Sequence, residues 1–304
     1  MPSTTRIATC CSTGRALMPD RRAAPRHLLE IAGLSGLELE ELFAMADEGP
    51  QPHCLVDVTF MAAFFQESTR TRLGFMSAAA RQGARLIDMG GPASLRREPP
   101  EDQQMVIAEA ADVVAVRHWD PRYAADLARR GRCSVVNAGA GATSHPTQAL
   151  IDAYTLRRTL GEDLTGLRVL FLGDTLLRSA ESFRELASTL GVMVSHRAVA
   201  VESSVNGIPH WDEELGKADV VYVQSLSGTD YLTARLNVGD RGPALPPAVT
   251  GAVSRSDALI MHALPRGPEL SDELMRDRRC LVSKQVEHGL PVRSAVLRWL
   301  TTKG

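Results

Sequence analysis

From about Gly33 onward the chain alternates short apolar runs with amphipathic stretches of helical period. Residues 35–38, Ser-Gly-Leu-Glu, form a capping box that opens a helix carrying Leu39, Leu42, Phe43 and Ala46 on one face. The run 56–65 predicts a buried strand, and Leu73, Met76 and Ala80 continue at helical spacing to about residue 82. A strand is expected over 85–89, a helix over 102–111, a strand over 113–116, a helix over 121–130 and a strand over 134–137. Pro146 stands at a first helical position, and its helix runs to about Leu160. A second series follows, with strands over 168–172, 192–196, 220–223 and 258–261. Its helices fall at 179–190, 211–217 and 271–276, and a last one runs from about 291 to 300. Near-continuous apolar strands alternating with helices predict parallel sheets covered on both faces.

The fold class is therefore α/β: two doubly wound parallel-sheet domains, with a C-terminal helix returning to the first. The expected division is an extended or disordered segment over 1–26, a first domain over 27–160, a second over 161–290, and the closing helix over 291–304. A length of 304 residues is enough for two cores. A net charge of −2 provides no general attraction to nucleic acid or to an anionic membrane, so neither is an expected partner. No apolar run approaches the roughly 20 residues of a membrane span. Cys10, Cys11, Cys54, Cys133 and Cys280 form no C-x-x-C pair and fit neither a zinc site nor a disulfide framework, which predicts a reducing, cytoplasmic setting. Residues 1–26 are rich in Arg, Ser and Thr with Asp20 as their one acid, but no amphipathic helix supports a transit peptide.

Candidate chemistry collects at strand ends. Ser68, Thr69, Arg70 and Thr71 follow the strand 56–65 where a helix begins, with Ser68 and Thr69 as N-cap candidates. Unpaired backbone N–H groups, the positive end of the helix dipole, two hydroxyls and a guanidinium together suit a phosphate. Arg117 ends the next strand, and His145 and Gln148 follow the one after. Open parallel sheets bind ligands beyond the carboxyl ends of their strands, so these groups converge by topology. The Gly/Pro-rich loop 90–100 is long enough to be functional. A nucleotide-binding reading is weak, because Leu172-Gly173-Asp174-Thr175 lacks G-x-G-x-x-G.

Ser68-Thr69-Arg70-Thr71, Arg117-His118, His145-Pro146-Thr147-Gln148 and His262-Ala263-Leu264-Pro265-Arg266 together resemble the aspartate/ornithine carbamoyltransferase family, from about residue 28 to 300. The likeness is closer to the aspartate carbamoyltransferase catalytic chain. It implies a carbamoyl-phosphate domain, a second domain for a small amine acceptor, and a homotrimer with active sites between subunits. By this resemblance Ser68, Thr69, Arg70, Thr71 and Arg117 hold the phosphate. Thr71, Arg117 and His145 point at the carbonyl oxygen, and Gln148 with the backbone carbonyls of Leu264 and Pro265 holds the carbamoyl NH₂. Arg70, Thr71, Arg117, His145 and Gln148 would be the catalytic set. An uncharged amine attacks the carbonyl and phosphate leaves, with no cofactor and no metal required.

The sequence departs from the family in two places. In the loop that reaches a neighbouring subunit, Ser94 fits, but Glu98 stands at the lysine position, preceded by Arg96 and Arg97. On the acceptor side Arg178 resembles the arginine that holds the acceptor's α-carboxylate. Ser225 and Ser227, however, stand where aspartate enzymes carry Arg-x-Gln. Without that arginine a side-chain carboxylate loses its partner. The expected acceptor is therefore an amino acid or related amine other than standard aspartate. The alternatives are a true aspartate carbamoyltransferase in which Arg235, Arg241 or Arg266 compensates, and a non-catalytic paralogue that binds carbamoyl phosphate or a partner subunit.

Overall fold

A computed structural model describes residues 24–90, 98–139, 141, 144–173, 178–199, 211–224, 245 and 247–302. Its first half contains β1 (His27–Leu28), α1 (Gly36–Asp47), β2 (Thr59–Phe64), α2 (Thr69–Arg81), β3 (Arg85–Gly90), α3 (Pro100–Ala110), β4 (Val113–Arg117), α4 (Tyr123–Ala128), β5 (Ser134–Asn137) and α5 (Pro146–Leu160). The second half contains β6 (Arg168–Leu172), α6 (Arg178–Thr189), β7 (Met193–Arg197), α7 (Trp211–Lys217), β8 (Val220–Val223), α8 (Pro247–Arg255), β9 (Leu259–Met261), α9 (Asp272–Arg276) and α10 (Val282–Thr301).

The strands form two parallel sheets, ordered β1-β5-β4-β2-β3 and β7-β6-β8-β9. Burial on both faces explains their composition: every residue of β4 and β8 is buried. In each sheet the chain leaves a strand toward one edge and returns on its other side. The order reverses between β2 and β4 in the first sheet and between β6 and β8 in the second. Such switch points open a crevice at the strands' carboxyl ends.

Local signals explain the helices. Ser35 Oγ accepts the Glu38 N–H at 3.3 Å and the Glu38 carboxylate accepts the Ser35 N–H at 2.9 Å, so the predicted capping box starts α1. Leu39, Leu42, Phe43 and Ala46 are its buried face. Two elements had no periodic signal: β1, whose two residues pair with β5, and α8.

The last helix differs from expectation. It starts at Val282 rather than near 291 and carries Pro291 inside it. Gly289-Leu290-Pro291 reads as a helix boundary, but tertiary packing overrides the lost amide bond. Val292, Val296, Leu297, Trp299 and Leu300 are buried in one core with α1, α2 and α5, each contributing about 1.5–3 kcal/mol by burial. The same core continues into the second sheet through Val169, Phe171, Phe183 and Tyr222. Of the predicted N-terminal segment, Arg26 donates to the Trp299 carbonyl and the Thr302 hydroxyl, and its guanidinium stacks over the Trp299 ring.

Among the described residues, no helix is long and apolar enough to cross a membrane. No group of acids, histidines and cysteines among them is arranged to hold a metal ion.

Candidate active site

The first switch point carries the sequence-predicted donor residues. Register pairs Phe64 with Arg117 and Val116 with Asn137, so β2, β4 and β5 end side by side. The Phe65 N–H donates to the Arg117 carbonyl at 2.9 Å, which fixes the exit of β2 against that of β4. Ser68 is the N-cap residue of α2, yet its hydroxyl makes no capping bond. Of the two N-cap candidates Ser68 holds that position, while Thr69 is the first helical residue. A ligand oxygen at this helix start would meet the positive end of the α2 dipole. Thr71 is buried one turn in, while Thr69 and Arg70 stay at the surface.

Arg117 is buried, and its Nη1 donates to the Ala138 carbonyl at 3.2 Å. Beyond β5 the chain turns at Gly139, with φ +105°, its N–H donating to Asn137 Oδ1 at 2.9 Å. A Cβ at Gly139 would lie 2.7 Å from Arg117 Nη1 and 3.3 Å from His145 Nε2. Glycine is required there on two counts, backbone conformation and space. The space it leaves is where guanidinium and imidazole meet.

His145 caps α5 by position and donates its backbone N–H to Ser182 Oγ at 2.9 Å, a bond from the first domain to α6. Thr147 Oγ1 lies 3.4 Å from its Nδ1. Either group can donate in that contact; when the hydroxyl does, Nε2 carries the ring proton and faces Gly139 as a donor.

Gln148, half-buried, donates its amide to Asp152 Oδ1 at 2.8 Å. Asp152 is fully enclosed, and it also accepts from Gln285 Nε2 at 2.7 Å and from the Tyr222 hydroxyl at 2.8 Å. Burial pushes its carboxyl up to about 7 against the pull of these three bonds.

The turn after β9 is held from beneath. The Leu264 N–H donates to His262 Nδ1 at 2.9 Å, so the ring proton sits on Nε2, 2.9 Å from Glu269 Oε1. Burial works to raise the Glu269 carboxyl, but the His262 bond and the Gly267 N–H outweigh it and hold it below the usual range. Leu264 has φ +51° and precedes a cis proline, Pro265.

The second switch point lies between the ends of β6 and β8. Gly173, φ +124°, follows β6 so closely against the other strand exit that a Cβ would lie 2.7 Å from the Gln224 carbonyl oxygen. Gln224 is 2% exposed, and neither its amide oxygen nor its nitrogen has a hydrogen-bond partner among the described residues. Arg178 opens α6, and its side chain lies outside the described residues, as do Ser94, Arg96, Arg97, Ser225 and Ser227. Arg266 is turned to Asp272 Oδ1 at 2.5 Å and to the Leu270 carbonyl.

Residues 26–158 match the sequence model of the aspartate/ornithine carbamoyltransferase carbamoyl-P binding domain, and residues 195–300 match that of the Asp/Orn binding domain. The chain belongs to the aspartate/ornithine carbamoyltransferase family. This carbamoyltransferase is 36% identical over 301 residues to the aspartate carbamoyltransferase catalytic subunit of Agrobacterium fabrum, covering 90% of this chain and 95% of that one. It is 34% identical to the Gluconobacter oxydans catalytic subunit, covering 92% and 97%. Its fold matches an aspartate transcarbamoylase from Trypanosoma cruzi solved with carbamoyl aspartate and phosphate, at a TM-score of 0.72 and 22% identity, covering 92% of this chain and 97% of that one.

Sequence reading of this carbamoyltransferase missed Asp152, Tyr222, Gln285 and Gln224. A signal existed for the first, since Asp152 is the one charge between Pro146 and Leu156, in an otherwise apolar and hydroxylic helix segment. A lone acid in such a stretch is expected to be paired.

Proposed function

We propose that this chain transfers the carbamoyl group of carbamoyl phosphate to a small amine acceptor. The observation that carries the reading is the approach of Arg117 Nη1 and His145 Nε2 to one point above Gly139, beside the uncapped start of α2. Phosphate lies on the first-turn amides of α2 with Ser68, Thr69, Arg70, Thr71 and Arg117. The carbonyl oxygen meets Thr71, Arg117 and His145. The carbamoyl nitrogen donates to Gln148 and to the backbone carbonyls of Leu264 and Pro265.

Attack by the neutral amine forms a C–N bond and places the π-electron pair on the carbonyl oxygen. Collapse of that oxyanion breaks the C–O bond to phosphate, which leaves with the pair and takes up the proton that the attacking nitrogen sheds. Donors aimed at such an oxyanion contribute about 3–4 kcal/mol each, and the fixed strand-end geometry adds the entropic advantage of positioning. His145, with Nδ1 facing a hydroxyl, serves as a donor.

For the acceptor, Arg178 takes an α-carboxylate, and Ser225 and Ser227 with the neutral amide of Gln224 favour an uncharged polar group at its other end. The competing reading is aspartate itself, favoured by identities of 34–36% to aspartate carbamoyltransferase catalytic subunits across nearly the whole chain. A homotrimer, with Ser94, Arg96 and Arg97 reaching a neighbouring site, completes the proposal. Phosphate release from carbamoyl phosphate, measured across a panel of amino acids and amines, tests the activity. Fastest turnover with L-aspartate would select the second reading, and no release with any amine would reject both. Arg70→Ala should abolish release, while Arg178→Ala should mainly raise the acceptor KM.

A further inference from the structure

Asp152 sits one helical turn beyond Gln148 on α5, where side chains four apart share a face. Its two oxygens collect donors from three separate elements: Gln148 of α5 at 2.8 Å, Tyr222 of β8 at 2.8 Å and Gln285 of α10 at 2.7 Å. In its ionised form, above the value of about 7 to which burial raises it, Asp152 only accepts hydrogen bonds, so each glutamine turns its NH₂ inward and its oxygen outward. For Gln285 the outward oxygen has a visible purpose, because it accepts the His262 N–H at 3.1 Å at the base of the Leu264 turn. Gln148, next to His145 in the first turn of α5, is under the same constraint.

We propose that Asp152 is a positioning residue of the donor site, holding the Gln148 amide so that its oxygen, and not its nitrogen, meets the carbamoyl NH₂. The proposal rests on the reading that Gln148 contacts that nitrogen. A glutamine free to rotate would present NH₂ to NH₂ in half of its orientations, and two donors repel. With the oxygen fixed outward, the site prefers a carbamoyl group to an acyl group of the same shape. An acyl methyl has no proton to give, and it leaves a buried acceptor unpaired. Because Tyr222 and Gln285 bond to the same carboxylate, the second sheet and the last helix both hold this orientation.

The test compares dissociation constants for carbamoyl phosphate and acetyl phosphate, which differ in NH₂ against CH₃, by calorimetry on the full chain. Asp152→Asn substitutes a donor for one acceptor oxygen, so Gln148 flips or separates. Carbamoyl phosphate should then bind about tenfold more weakly while acetyl phosphate changes by less than about twofold. A parallel loss for both ligands would show a merely structural role and overturn the proposal. No change for either, while Gln148→Ala loses the preference, would overturn it too. If Gln148→Ala keeps the wild-type preference, the underlying reading of Gln148 fails instead, and the proposal with it. Should Asp152→Asn not fold, a crystal structure of the unsubstituted protein with carbamoyl phosphate decides. The Gln148 amide bridging Asp152 and the carbamoyl nitrogen supports the proposal, and Gln148 out of hydrogen-bond reach of Asp152 overturns it.

Discussion

Gly139→Ala places a methyl carbon 2.7 Å from Arg117 Nη1 and 3.2 Å from His145 Cδ2. The backbone there has φ +105°, which costs an L-residue about 1–2 kcal/mol. The guanidinium cannot simply swing away, because Arg117 is only 2% exposed and bonded to the Ala138 carbonyl. Losing that bond adds about 1 kcal/mol. Urea unfolding should therefore show a loss of about 2–3 kcal/mol. The catalytic effect should be larger than a stability change of that size suggests. A displacement of about 1 Å at a reacting centre costs about 100-fold, so kcat/KM for carbamoyl phosphate should fall by about that factor. The assay is phosphate release with the fastest acceptor of the amine panel, run beside the unfolding curve. A variant that loses the expected stability but keeps kcat/KM within about threefold would refute the reasoning, because Arg117 and His145 would then not act at that point.

Gly74→Ala brings a Cβ within 2.6 Å of Arg293 Nη1 and 2.8 Å of its Cζ, inside an enclosed site where Arg293 donates to the Gly289 carbonyl. Urea unfolding should show a loss of about 1–3 kcal/mol, largely recovered in the double variant with Arg293→Met. His118 is buried among Phe65, Trp119 and Tyr123, and burial lowers its pKa from 6.5 to about 4. The unfolded chain takes up its proton first as pH falls. Stability is therefore intact above about 6.5 and declines toward 4 by about 3 kcal/mol, and the decline should be absent from His118→Asn in urea midpoints across that range. Gln224→Leu should change the acceptor KM by about tenfold and leave carbamoyl phosphate affinity unaltered; the reverse pattern would move Gln224 out of the acceptor site.

The proposed donor half of the site could be assembled from sequence because its residues are local. Ser68 to Thr71 are contiguous, Arg117 ends an unmistakable apolar strand, and His145 to Gln148 straddle a proline helix start. Strand order did the rest, since β2, β4 and β5 end together only when the sheet reverses between β2 and β4. Asp152, Tyr222 and Gln285 escaped notice for the opposite reason. They lie 70 and 133 residues apart in sequence, and none has a chemical neighbour along the chain to mark it. The start of α10 was misplaced because Pro291 outweighed the packing of the segment before it. Gln224 looked like the last residue of a strand, and its unpaired amide is a property of the folded mouth alone.

The return of α10 to the first domain has a consequence for how the protein is made. Val292, Val296, Leu297, Trp299 and Leu300 complete a core whose other members, such as Leu39, Phe43 and Phe75, leave the ribosome far earlier. A domain normally folds as its residues emerge, but this one lacks its covering helix until the whole second sheet has been made. The nascent chain therefore carries an uncovered apolar face on α1 and α2 through synthesis of the whole second sheet, and the emergence of α10 is what permits that core to close.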